Sequence, residues 1–237
     1  MRVGIIQSNF LPWRGYFDLI RRCDLFVVHD DLQFTKGDWR NRNRVKTASG
    51  TRWISVPVHY GAVSQLIEDT AIDYSTLWPR KMLNVIRQSY QRSPHFEPYF
   101  SELTELLTEP AESISDLNVR LLRWACAHLE ITTPVVMSKT LEPAGVKTDR
   151  LVEILQRVGA TEYLSGPSAR AYLQPARLED VGIGLRYMRY DYGLYPQLFP
   201  PFEGAVSIID LLFMTGTEAI THLLWTNEDV TESLRSR

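Results

Sequence analysis

The chain opens with a short apolar run, Val3-Gly4-Ile5-Ile6, that stops at Gln7, and runs of similar length recur along the sequence. Segments rich in Val, Ile and Leu, or in alternating aromatics, occupy residues 2–7, 24–29, 53–58, 134–138, 161–165 and 184–190, each of strand length. Helical spacing lies between several of them. Tyr16, Leu19 and Ile20 mark a one-sided helix after the first run, and Leu151, Ile154, Leu155 and Val158 repeat at three and four residues before Gly159 stops a later helix. Strand alternating with helix predicts an α/β fold with a largely parallel open sheet of Rossmann-like type.

The pattern changes over residues 74–130. Met82, Val85, Ile86 and Tyr90, then Phe100, Leu103, Leu106 and Leu107, then Leu117, Leu121, Leu122, Ala125 and Leu129 describe three amphipathic helices. Plausible starts are Asp73 or Ser75 with Thr76, Pro98, and Ser113 or Ser115. The expected organisation is therefore an α/β core from residues 1–73 and 131–237 with a helical insertion at 74–130. The tail from Ser207 to Trp225 reads as helical again, broken at Gly216.

Parallel strands open at one edge of their sheet, and ligands of open α/β sheets bind outside that edge. Chemistry is therefore expected in the residues just beyond each strand. After the first strand come Gln7, Asn9, Trp13 and Tyr16, in which two amides suit hydrogen bonding rather than proton transfer. After the second come His29, Asp30, Asp31 and Gln33; one aspartate is expected to cap the turn and the other to act as a general base or to bind a hydroxyl or Mg²⁺. Ser165, Gly166, Ser168 and Arg170 come after the fifth run, as an anion-binding turn or simply a capped helix. Tyr192, Tyr195 and Gln197 form either a ring-binding platform or loop packing.

The segment from Lys36 to Lys46 adds charge to this picture. Arg40, Arg42, Arg44 and Lys46 alternate, so in extended chain they share one face, with Trp39, Asn41 and Asn43 interleaved. It is a solvated basic edge or a site for phosphate or carboxylate beside a flat ring. The whole chain of 237 residues carries a formal net charge of −2, so anion binding rests on this local cluster, and nucleic acid is not an expected partner. No apolar stretch has the length of a membrane span, and the first residues lead straight into a strand; a cytoplasmic location is expected. Cys23 and Cys126 stand apart in apolar settings, as reduced buried thiols, and no metal-ligand cluster is legible.

In the stretches Gln7-Ser8-Asn9-Phe10-Leu11-Pro12-Trp13-Arg14-Gly15-Tyr16-Phe17-Asp18, Asp30 to Lys36, Trp39 to Asn43, Tyr163 to Arg170 and Tyr195-Pro196-Gln197, the chain resembles the WbqC-like family of bacterial proteins. Ile6 and Ser8 depart from the His and Pro that many members carry there, so no role falls to that histidine. The resemblance implies surface-polysaccharide or natural-product biosynthesis, with transfer of an acyl or aminoacyl group to an amino sugar or small amine. A fainter likeness, in the strand–turn–helix start and the Ser165–Arg170 turn, is to the nucleotidyltransferase superfamily, whose HxGH turn is missing here.

Three functions are therefore expected to compete. In an acyl or aminoacyl transferase, Asp30 or Asp31 is the base and Gln7, Asn9 and the Ser165 turn are oxyanion donors. In an ATP-using ligase or nucleotidyltransferase, Lys36, Arg40, Arg42 and Arg170 hold phosphates and Asp31 holds Mg²⁺. In a non-enzymatic module the same face binds a nucleotide sugar or a carrier protein's prosthetic arm. The expected cofactor is thus ATP with Mg²⁺ or an acyl thioester, and the expected partners are an anionic small molecule and an acyl- or peptidyl-carrier protein.

Overall fold

The computed structural model of the protein describes residues 1–223 and the backbone of 231–233. Its centre is a sheet of six strands in the order β5-β2-β1-β6-β7-β8. The members are β1 (Arg2–Ile6), β2 (Leu25–Val28), β5 (Val135–Met137), β6 (Glu162–Ser165), β7 (Gly184–Met188) and β8 (Thr231–Ser233). The first five pair in parallel, and β8 adds an antiparallel edge against β7. The parallel α/β fold expected from the apolar runs is present.

Each face of the sheet is covered because each face is apolar. Val3, Ile5, Val27, Tyr163, Leu185 and Tyr187 point to one side, against α5 (Lys147–Arg157) and α6 (Pro175–Glu179). Phe26, Val28, Leu164 and Met188 point to the other, where α1 (Arg14–Arg21) lies with α2 (Trp78–Tyr90), α3 (Phe96–Thr108), α4 (Ile114–His128) and α7 (Ile208–Thr215). Buried residues of α2, α3 and α4 belong to the same continuous core as those of α1 and α7. Ser113 starts α4 with a full capping box, its hydroxyl accepting from Asp116 N–H while the Asp116 carboxylate accepts from Ser113 N–H. The expected C-terminal helix divides at Gly216 into α7 and a 3₁₀ turn over Gly216–His222; its end at Leu224 and Trp225 lies outside the described residues.

The third strand-like run lies elsewhere. It is β4 (Gly50–Ser55), paired antiparallel with β3 (Arg42–Thr47) in a separate hairpin turned at Gly50, whose φ of 111° suits glycine. Pro57 has no N–H to continue the ladder, so the strand ends earlier than the run 53–58 predicted. The hairpin buries Val45 and Ile54 in the core and lays Arg42, Arg44 and Lys46 on the opposite face.

The chain winds from β1 to β2 and on to β5 in one direction, then returns beside β1 as β6 and proceeds to β7. The direction reverses between β1 and β6. That switch point leaves a crevice beyond the carboxyl ends of the two strands, the usual ligand position in such sheets.

Candidate functional site

Gln7 follows β1, His29 follows β2, Ser165 ends β6 and Tyr190 follows β7 by one residue, so the parallel register gathers all four at one edge. The loop after β1 is held rigidly. Asn43 Nδ2 donates to the carbonyls of Phe10 and Leu11 at 3.1 and 2.7 Å, which fixes Leu11 at a φ of 43°, and Phe10 N–H donates to Trp39 O at 2.9 Å. Trp13 then packs edge-on against Tyr190 at 4.9 Å between centroids. Gly15 is required under that indole, because a Cβ there would come within 2.4 Å of the ring.

Arg40 reaches this loop from just before β3. Its Nη2 donates to Gln7 Oε1 at 2.5 Å and its Nη1 to Asn9 Oδ1, while Asp38 stands at 3.4 Å as its carboxylate neighbour. A guanidinium only donates, so both amides must turn their oxygens to it. The Gln7 and Asn9 NH₂ groups are left without an acceptor among the described residues. Up to four N–H donors and a cation thus meet at the switch point. Tyr16 lies beneath, its hydroxyl donating to Gln7 O at 3.0 Å; burial raises its pKa well above the ordinary value, with Asp30 adding to the rise and Arg40 opposing it. Across the crevice, Tyr172 is within electrostatic reach of Arg40, and the Tyr190 hydroxyl lies 3.7 Å from where a Gly166 Cβ would stand.

At Asn9 opens a cavity of about 260 Å³ lined also by Pro12, Trp13, Trp39, Asn43, Arg44 and Ala205. Trp39 is 40% exposed and lies 5.3 Å from Trp53, itself 44% exposed, and Arg42 covers the Trp53 ring at 4.3 Å.

The remaining candidates fall into three places. Asp30 is wholly buried, and both oxygens are engaged: Ser8 N–H donates to one at 2.7 Å and Ser115 Oγ to the other at 2.6 Å. It is thus placed to brace the first loop against α4, although burial raises its pKa despite those bonds. Asp31 pairs with Arg150 and accepts from Ser138; burial pushes its pKa up, but those hydrogen bonds outweigh it and hold the carboxyl below its usual range. His29 is 5% exposed with Nε2 3.7 Å from Asp31 and no hydrogen bond on that nitrogen, and burial lowers its pKa to about 4.

The basic alternation does not converge on one ligand. Arg42, Arg44 and Lys46 share a face of β3, yet Lys46 is buried with Nζ donating to Pro201 O, Arg44 donates to Ala205 O at 3.0 Å, and Lys36 is exposed on the preceding turn. Gln33 forms an isolated bridge with Leu66, and Asn41 donates to Val56 O at 2.8 Å. In the late turn Ser165 is buried and donates to Tyr163 OH at 3.3 Å, Ser168 is exposed, and Arg170 lies over Tyr187 at 4.5 Å. Tyr192 donates to Asp18 at 2.8 Å. Tyr195 and Gln197 point into the core, both donating to Asp210. Asp210, Arg14 and Asn118 were invisible as polar centres in the sequence because each sits within an apolar helical face. Arg14 is buried beneath Tyr192 and Tyr195, and Asn118 Nδ2 donates to Arg40 O at 2.8 Å and to Ser8 Oγ at 3.0 Å.

The chain is 44% identical over 225 residues to the uncharacterized protein Rv1507c of Mycobacterium tuberculosis (strain ATCC 25618 / H37Rv), covering 94% of this chain and 97% of that one. No solved structure matches it. The WbqC-like protein family matches residues 7–222, from the first-loop amide to the turn after α7, and the chain belongs to that family.

Proposed function

We propose that the protein is a transferase of small-molecule biosynthesis that forms an amide by passing an acyl or aminoacyl group to an amino sugar or small amine. The observation that carries this reading is the pair of amides whose oxygens are taken by Arg40 and whose N–H groups are free. Acyl transfer places negative charge on the carbonyl oxygen, and fixed donors beside a cation stabilise that charge without reorganising. The amine nitrogen attacks the acyl carbon, the leaving group departs with the bonding pair, and the amine's surplus proton passes to a base. His29, whose backbone N–H donates to Ile6 O beside Gln7, is the proposed acceptor of that proton on its imidazole, with Asp31 next to it. A thioester, free or on a carrier protein, is the proposed donor.

The test pairs acyl and aminoacyl thioesters with amino sugars and follows amide formation by mass spectrometry. Arg40→Ala should lower turnover by roughly 10²–10³-fold, as loss of an oxyanion site does. Full turnover in that variant would refute the reading, as would adenylate formation with ATP and Mg²⁺ in the absence of any thioester.

A second reading draws on Asp30. With that carboxylate closed off, a non-enzymatic module holding a nucleotide sugar or carrier arm is supported by the same donors. Ligand binding without turnover of any donor pair would favour it.

A further inference from the structure

The cavity beside Asn9 has two features that the donor group does not use. Its lining combines two indoles, a proline ring and Ala205 with the polar side chains of Asn9, Asn43 and Arg44. No lining residue carries a carboxylate, whereas Arg44 brings a guanidinium whose Nε is buried without a hydrogen bond among the described residues. Its Nη2 is the atom engaged, with Ala205 O. We propose that this cavity is a subsite for one pyranose ring bearing an anionic substituent, a sugar phosphate or a hexuronate.

The size fits a single ring. Pockets for drug-sized ligands run from about 300 Å³ upward, so 260 Å³ suits one six-membered ring with a substituent rather than a dinucleotide. Indole faces bind the apolar C–H faces of a sugar, and the free N–H groups of Asn9, which lines the cavity, suit its hydroxyls. A plain aromatic ring would leave those donors unmet. Arg44 supplies the charge complement, since its guanidinium lies 6.0 Å from the Trp39 ring centre and 5.8 Å from that of Trp53.

Asn9 belongs to both regions, so a ring held here lies next to the carbonyl donors. The ring as amine acceptor rests on the transferase reading; the binding itself does not.

Tryptophan fluorescence of the full chain tests the subsite, because Trp13 and Trp39 would be covered by the ring. Titrations use glucose 1-phosphate, glucuronate, glucose, inorganic phosphate and benzoate. At least one of the first two should quench saturably, with glucose roughly tenfold weaker and inorganic phosphate silent; whichever anion binds tighter identifies phosphate or carboxylate. Trp39→Ala and Arg44→Gln should each weaken that binding by about tenfold, equivalent to 1.4 kcal/mol. Should Trp39→Ala fail to fold by circular dichroism, Arg44→Gln carries the comparison. Absence of saturable quenching by either sugar anion up to about 10 mM, tighter binding of benzoate, or full affinity in the folded variants would overturn the proposal. Sugar binding without amide formation would instead leave the subsite standing and remove the transferase; amide formation by a protein blind to these probes would do the reverse.

Discussion

Ser115 Oγ donates to Asp30 Oδ2 at 2.6 Å, joining the first turn of α4 to the end of β2 across 85 residues of sequence. Ser8 N–H takes the other oxygen, so one buried carboxylate holds the β1 loop, the β2 end and the helical region together. Asp30→Ala should cost about 2–4 kcal/mol in denaturant unfolding, because a buried N–H and a hydroxyl lose their acceptor. Asp30→Asn should be far milder. Its oxygen can keep the Ser8 bond while its NH₂ donates to Ser115, and turnover on an identified substrate should survive. A folded Asp30→Asn protein with turnover reduced 10²-fold or more would restore Asp30 as the proton-transfer group.

The parallel strands were legible because each is a short apolar run ending at a polar residue, and the register of β1, β2, β6 and β7 then gathers Gln7, His29, Ser165 and Tyr190 at one edge. The hairpin was only half legible. β3 has a polar outer face and buries little beyond Asn43 and Val45 on the other, so the alternation of basic residues was visible while its strand was not. Destinations of single side chains escaped the sequence where partners are remote. Lys46 read as one of a cationic cluster and is buried on Pro201 O, 155 residues on; Tyr195 and Gln197 read as a ligand platform and serve Asp210. What sequence cannot give is which of an amide's two polar atoms is taken up inside the fold, and here Arg40 takes the oxygens of Gln7 and Asn9.

Gly15→Ala should disturb the site without replacing any residue that lines the cavity. The new Cβ would lie 2.4 Å from the Trp13 ring, which cannot yield freely because Tyr190 packs against it. Overpacking of this kind costs about 1–3 kcal/mol, and the displaced indole should narrow the ring cavity. Thermal unfolding and sugar-anion titration on the same sample check both effects; unchanged affinity would show that Trp13 is not a working wall.

His29 makes a pH prediction with a definite sign. Its pKa falls from 6.5 in the unfolded chain to about 4 in the fold, chiefly through burial, with Arg150 adding to the fall and Asp31 opposing it. Between those values the unfolded chain binds more protons, so stability rises with pH across about 4 to 6.5 and is lost as pH falls through the folded value. Asp30 and Asp210, whose pKa values burial raises, act in the opposite sense over part of that range. The difference between wild type and His29→Gln isolates the histidine. Unfolding free energies measured from pH 4 to 7 should give a difference that grows with pH by up to about 3 kcal/mol, and a flat difference would place a proton on His29 in the native state.

Asp210 offers the sharpest test of a polar centre hidden in an apolar helix. Tyr195 OH donates to it at 2.7 Å, Gln197 Nε2 at 2.8 Å and Tyr90 OH at 2.9 Å, and the Tyr90 oxygen also accepts the Lys46 N–H of β3. One carboxylate therefore ties the hairpin, α2 and the loop after β7 to α7. Burial raises its pKa, and the three donors and Lys46 oppose that rise. Tyr195→Phe keeps the ring over which Arg14 lies at 5.2 Å and removes only the hydroxyl, so the loss reads its bond to Asp210 together with the longer one it accepts from Gln197 at 3.2 Å. At pH 7 the cost should be about 1–3 kcal/mol, the range for a bond to a buried charged group. It should shrink toward pH 4. With one donor gone the folded pKa of Asp210 rises further, and a group with a raised folded pKa weakens the fold as pH climbs through it. Equal destabilisation at both pH values in urea titrations would mean that Asp210 is protonated in the wild-type fold throughout.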